Sequence, residues 1–150
     1  MKLKLIAISS SLTFFFLVSN CTGTRPNDLG IKQGKLKACP STPNCVSSQT
    51  DSKDEEHYLA GVPYKKTTPE AMAILKERIL NHPRTSIIIE EKNYIYTEFT
   101  TLIMRYVDDV EFYFDENSKI LHFRSASRLG KSDLGLNRKR INTLLKDIDI

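Results

Sequence analysis

Between Ser86 and Ser127 apolar and polar residues alternate in short extended runs, and on either side apolar residues recur every three or four positions. Thr68-Pro69-Glu70 predicts a helix start. Thr68 can cap, Pro69 suits the first helical position and Glu70 complements the helix dipole. Ala71, Met72, Leu75 and Ile79 then fall on one stripe. His82-Pro83 ends the helix, because the residue before proline avoids the α region. Ser86 to Glu90 contains three consecutive Ile, Glu91-Lys92-Asn93 reads as a turn, and Tyr94 to Thr101 alternates with aromatic and β-branched residues. Together they predict a hairpin.

Arg105 to Phe114 and Lys119 to Ser127 predict a second hairpin around a turn at Glu116 to Ser118. A two-residue turn at Asn117-Ser118 sets Glu116 against Lys119, Phe114 against Leu121, Phe112 against Phe123 and Glu111 against Arg124. Apolar then meets apolar and acid meets base along the ladder. A slip of one residue would set Phe112 against His122 and reverse one strand's faces. One face thus buries Phe112, Phe114, Leu121 and Phe123, and the other carries Asp109, Glu111, Tyr113, His122 and Arg124. A second helix is expected over Leu134 to Asp147, with Ile141, Leu144, Leu145 and Ile148 as its stripe and Arg138, Lys139 and Arg140 mostly on the solvated side. The fold class is α+β: an antiparallel sheet of about four strands packed by two helices, with an irregular N-terminal arm over residues 29–66. No internal repeat is evident.

The N-terminus carries an address. Lys2 and Lys4 precede a short uncharged apolar run from Leu5 to Val18, the pattern of a secretory signal peptide over residues 1–20. An uncleaved N-terminal anchor is the alternative, although the run is shorter than a spanning helix needs. Leu17-Val18-Ser19-Asn20-Cys21 resembles a bacterial lipobox, with Asn20 where Gly, Ala or Ser is usual. Cys21 is then the lipidation site, and ordinary secretion is the other reading. Residues 21–28 read as a polar tether, and residues 29–150 as a single domain. The expected location is the bacterial cell envelope, lipid-anchored or periplasmic/secreted.

Two further cysteines, Cys39 and Cys45, flank Pro40-Ser41-Thr42-Pro43-Asn44. An even pair in an oxidising compartment reads first as a disulfide, with two free thiols or a metal site as alternatives. A metal needs more ligands, and neither His57 nor His82 lies at a zinc-motif spacing from the cysteines.

Composition narrows the function classes. The 150 residues hold 22 Lys+Arg and 18 Asp+Glu, a net charge of +4. Cleavage before Cys21 removes Lys2 and Lys4 and halves that excess. No clustered nucleic-acid footprint remains, so nucleic acid is not an expected partner. The length suits one domain of ordinary size.

Unusual polarity is concentrated between Asp108 and Arg140, in DDVEFYFDENSKILHFRSASRLGKSDLGLNRKR. Arg25-Pro26 with Leu29-Gly30, CPSTPNCVSSQ from Cys39 to Gln49, the Asp108-Asp109-Val110-Glu111-Phe112 strand and RSASRLGKSDLGLNRKRI from Arg124 to Ile141 resemble the bacterial and plastid family called domain of unknown function 1499. Lys131 departs from the pattern, which more often has an aromatic there. The resemblance implies a fold and supplies no activity.

The chemistry must therefore be read from the residues. Arg124, Arg128 and Arg138 could form a fork-shaped cluster for a polar or anionic ligand, with Ser125 and Ser127 as donors and Asp133 and Asn137 beside them. Gly130 and Gly135 flank the loop before the last helix, whose N-terminus favours anions. The competing reading is architectural: Asp109, Glu111 and Asp133 neutralise the arginines, and Asn137 ties the loop to the sheet.

Enzyme readings are thinner. Ser125 or Ser127 with His122 and Asp109 would make a hydrolase, but His122 faces the other way and no nucleophile-elbow motif occurs. Asp109 and Glu111 share a face as in a carboxylate pair, yet neighbouring arginines would keep both ionised. No P-loop, dinucleotide fingerprint or zinc-protease motif is present, so no cofactor is expected. The run Arg138-Lys139-Arg140 could touch anionic lipid headgroups. The sequence thus favours an envelope protein acting as a non-enzymatic ligand-binding or interaction module anchored at the membrane. Its expected partners are the bilayer, through a lipid anchor, and a polar or anionic ligand or an envelope protein. The alternative is a hydrolase-type enzyme using Asp109, Glu111, Arg124, Ser125 and Arg128.

Overall fold

The computed structural model describes residues 22–150. The expected signal peptide, residues 1–20, and the expected lipidation site Cys21 lie outside the described residues.

Eight elements follow one another: β1 (Cys45–Ser47), β2 (Val62–Pro63), α1 (Thr68–Leu80), β3 (Thr85–Glu91), β4 (Tyr94–Thr100), β5 (Val107–Asp115), β6 (Ile120–Ser127) and α2 (Leu136–Leu145). The strands form one antiparallel sheet of order β1-β6-β5-β4-β3, with β2 also paired to β6. The α+β class and the two helices are as expected, but the sheet has six strands rather than about four. The two additional strands come from the arm expected to be irregular. They are three and two residues long, too short for any alternation to register in the sequence.

The β5–β6 ladder has the register derived from side-chain pairing: Glu111 faces Arg124, Phe112 faces Phe123 and Phe114 faces Leu121. Phe112, Phe114, Leu121 and Phe123 are fully buried. They meet Ala71, Leu75 and Ile79 of α1 and Ile141 and Leu144 of α2, which puts both helices on one face of the sheet. The opposite face is buried as well. Tyr94, Tyr96 and Tyr113 pack there under Leu29, Ile31 and Leu36 of the arm. Gln49 fastens this cover, accepting from the Leu36 N–H at 2.8 Å and donating to the Gly34 carbonyl at 3.0 Å.

Helix boundaries shift slightly from expectation. The N-cap of α1 is Thr67 rather than Thr68. The Glu70 carboxylate accepts from both the Thr67 N–H (3.0 Å) and the Thr67 hydroxyl (2.6 Å). Helix α2 is shorter than the expected 134–147. In β3 the register shifts by one residue between Ile87 and Ile89, leaving Ile88 without a partner on β4; Ile87 packs toward the helices and Ile88 toward the arm.

Cys39 and Cys45 form a disulfide with Cα atoms 5.7 Å apart. The bridge closes a short loop whose last residue opens β1. Phe112→Ala, at the centre of the helix-side face, should cost about 3–5 kcal/mol, measured as a lower urea midpoint with an unchanged slope.

Candidate functional site

Strand periodicity decides how the polar segment is used. Successive residues of β5 and β6 point to opposite faces, so the residues expected to form one cluster are divided by the sheet itself. Asp109, Glu111, Arg124 and Arg128 lie on the arm side. Ser125, Ser127 and Asn137, with Asp108 and Arg140, lie on the helix side. Arg138 belongs to neither group: it reaches across the surface and donates to the Glu55 and Glu56 carbonyls, each at 3.0 Å. The arginine fork drawn from the sequence does not converge.

On the arm side Arg128 is held through its Nε and Nη2. Its Nε donates to Asp109 Oδ1 (3.1 Å) and Oδ2 (2.9 Å), and its Nη2 donates to Asp109, to the Tyr96 hydroxyl (3.1 Å) and to Glu98. Arg25, in the segment expected as a tether, adds a 2.5 Å contact from its Nε to Glu98. Burial works against the charged form of Glu98, but the Arg25 and Arg128 guanidinium groups outweigh it and hold its carboxyl below the ordinary range. Tyr96 donates to Asp109 at 2.5 Å and Tyr94 to Glu111 at 2.8 Å. Burial and then these carboxylates push both phenols well above their ordinary values, so both remain proton donors.

Arg124 differs. It is 5 % exposed and lies across from the fully buried Glu111, with Nη1 3.6 Å from Oε2. Glu111 Oε1 accepts from Tyr94 and from the Gly30 N–H at 2.8 Å. Glu111 Oε2 and Arg124 Nε have no hydrogen-bond partner among the described residues. Burial lowers the Arg124 pKa, and the Glu111 charge opposes that shift. Among the described residues, a buried donor on Arg124 and a buried acceptor on Glu111 thus stand unfilled beneath the arm.

On the helix side the network closes on itself. Arg140, expected on a solvated face, is instead buried. It donates to Asp108, to Asn137 Oδ1 at 2.6 Å and to Ser125 Oγ at 3.2 Å. Its guanidinium stacks 4.9 Å above the Phe99 ring. Asn137 donates to the Asn44 carbonyl and to Ser127 Oγ, both at 3.0 Å. Asn44 also donates to the Gly130 carbonyl at 2.9 Å, so the disulfide loop is tied to the segment after β6. The α2 N-terminus, expected to favour an outside anion, is met by Asp133, which accepts from the Gly135 N–H (3.0 Å) and the Asn137 N–H (2.6 Å).

Among the described residues, Ser125 lacks the surroundings of a nucleophile. Ser125 is fully buried, donates to Asn137 Oδ1 at 2.5 Å and has no base beside it. His122 lies on the opposite face, where Ser48 Oγ is 3.1 Å from its Nδ1. Ser48 also accepts the Phe123 N–H at 3.0 Å, which makes it a bridge at the sheet edge. Burial holds the His122 pKa below the usual value. Asp115, the carboxylate that opposes this shift, is engaged by Asn117 and Ser118.

His57, weighed from the sequence only as a metal ligand, is a further buried polar group. Its Nδ1 is 2.8 Å from Asp54 Oδ2 and its Nε2 is 3.1 Å from the Thr42 carbonyl. Both partners are acceptors, so both ring nitrogens must donate, which is the imidazolium form. Burial disfavours that charge, but the Asp54 and Thr42 hydrogen bonds outweigh it and raise the pKa. Among the described residues no group of three or more His, Cys, Asp or Glu could hold a metal, and no helix is long and apolar enough to cross a membrane.

A family model described as "Protein of unknown function (DUF1499)" matches residues 35–148. No curated protein and no solved structure matches the chain. The matched span contains the disulfide, the helix-side network and the arm-side network apart from Arg25 and the Gly30 N–H, and it excludes Arg25-Pro26 and Leu29-Gly30.

Two measurements check these networks. Asp108→Asn leaves the buried Arg140 without its counter-charge and should cost about 3–5 kcal/mol, whereas Arg138→Ala at the surface should cost under about 1 kcal/mol. The His57 contribution is complete below the unfolded histidine pKa and is lost as pH rises through the raised folded value. Stability of wild type should therefore fall as pH rises from the unfolded histidine pKa through the raised folded one, and His57→Gln should remove that slope in chemical denaturation across pH.

Proposed function

The chain belongs to the DUF1499 family, and we propose that this member is a non-enzymatic binding and interaction module of the bacterial cell envelope, held at the membrane by a lipid on Cys21. The observation that carries the non-enzymatic reading is the closure of the polar segment. Arg128, Arg140, Ser125, Asn137 and Asp133 each engage another group of the same chain, so within this segment, among the described residues, no base stands beside a free nucleophile. The hydrolase alternative loses its nucleophile to Asn137 and Arg140.

Within the ligand-binding reading, Arg124 and Glu111 are the residues best suited to a small polar group, because each keeps a buried atom without a partner. Arm residues 29–36 would have to lift to admit it. Anchoring and envelope location are supported by the sequence: Lys2 and Lys4, the apolar run to Val18, and Cys21 in a lipobox-like setting. The disulfide supports an oxidising compartment.

Native mass spectrometry of protein extracted gently from its own membrane tests both parts. The mature N-terminus should be a diacylated or triacylated Cys21, and a free amine on a downstream residue removes the anchor. A polar ligand should be retained by wild type and lost in Arg124→Met. An empty wild type, together with ester turnover abolished by Ser125→Ala, would replace this reading with the hydrolase.

A further inference from the structure

We propose that one end of the sheet, formed by residues 101–106 and 129–136, docks on the surface of an anionic phospholipid bilayer. This deepens the anchoring part of the function proposed above and rests on it for the orientation of the N-terminus.

Apolar exposure is concentrated there. The β4–β5 connection presents Leu102, Ile103 and Met104 at 68 %, 84 % and 52 % exposure, followed by Tyr106. The segment after β6 presents Leu129, Leu134 and Leu136. These account for seven of the nine exposed large hydrophobic residues among the described residues. The two segments adjoin, since Tyr106, Leu129, Leu134 and Leu136 line one cleft and Leu102 shares a second with Leu136. Aliphatic groups clustered on a surface in this way mark an interaction site. Leu134 makes the point most sharply: it is 97 % exposed and held at φ 54°, a conformation that leucine disfavours. It contributes nothing to the core and strains the loop.

Charge fits an anionic surface. Arg84, Arg105, Lys131 and Lys139 are exposed around the aliphatic groups. The one acid in the two segments, Asp133, is engaged by the N-terminus of α2. Basic residues ringing aliphatic ones suit a headgroup layer over acyl chains.

The start of the described chain favours a bilayer over another partner. Gly23 lies against the same patch: at φ +66°, a Cβ added to it would come within 3.0 Å of Arg128 Cβ and 3.1 Å of Leu129 Cγ. Cys21 is two residues away, at most about 7 Å of extended chain. A lipid attached there would enter the membrane beside Leu129, and the aliphatic loops would meet the same surface.

Tryptophan is absent from the sequence, which supplies the test. Ile103→Trp places a single indole in the patch, and Asn117→Trp places one in the β5–β6 turn at the far end of the sheet. Each full-length variant is purified from membranes and reconstituted into phosphatidylcholine–phosphatidylglycerol vesicles with brominated acyl chains, and its mature N-terminus is weighed. The expected result is a blue shift and loss of at least half the emission for Ile103→Trp, with Asn117→Trp unquenched. Leu102→Ser added to Ile103→Trp should weaken the quenching. An acylated Cys21 with unquenched Ile103→Trp overturns docking and leaves anchoring intact. An unmodified Cys21 with Ile103→Trp quenched on added vesicles overturns anchoring and leaves docking intact. A blue shift without vesicles in a protein of doubled mass assigns the patch to a second copy and overturns the proposal.

Discussion

The pairing of Val107–Asp115 with Ile120–Ser127 fixes both faces of the sheet at once. With Phe112 opposite Phe123, every second residue of both strands points at the helices, and with Glu111 opposite Arg124 the residues between them point at the arm. A one-residue slip of β5 would turn Glu111 toward Leu75, Phe123 and Ile141 on the helix side, and Phe112 and Phe114 toward Tyr94 and Tyr96 on the arm side. Helix packing, arm docking and the placement of Asp108, Asp109, Glu111 and Arg124 follow from this register.

Both faces are buried, so charges that would ordinarily be solvated must be matched inside the protein. Two separate solutions appear, insulated from each other by the sheet. Arg140 and Asp108 pair among neutral amides and hydroxyls beneath α2, and Arg128 is shared by Asp109, Glu98 and Tyr96 beneath the N-terminal segment. Such pairs recover desolvation only with good geometry and with further hydrogen bonds, and Arg128 and Arg140 each make several beyond the ion pair. Arg124 meets these conditions incompletely, which sets it apart from its neighbours.

What was legible in the sequence follows from range and repetition. The β5–β6 register was legible because acid–base and apolar–apolar matches repeat over many pairs around one short turn. The disulfide was legible from cysteine parity. Strands β1 and β2 were not, because their two or three residues carry no period and their partners lie on β6, far along the chain. Arg140 was misplaced because three consecutive basic residues look like one solvated face. In the helix Arg140 lies next to Ile141 and turns inward, while Lys139 faces out. The division of Arg124 from Ser125 was implicit in strand periodicity, but the density of polar residues drew them together as one cluster. Ser48–His122 and the His57 clamp join distant or aperiodic positions and leave no sequence pattern.

The shift between Ile87 and Ile89 has a consequence for how the molecule tolerates crowding. β3 is a sheet edge, and an unbroken edge is a template on which another chain can polymerise. Here the extra residue twists the outer row of amides out of step, and Glu90 and Glu91 stand exposed at its end. At the opposite margin, β1 and β2 cover β6 in two pieces rather than one continuous strand. An incoming strand therefore finds no long straight row of free hydrogen-bonding groups at either margin. The domain can be packed densely against its own copies without its sheets fusing.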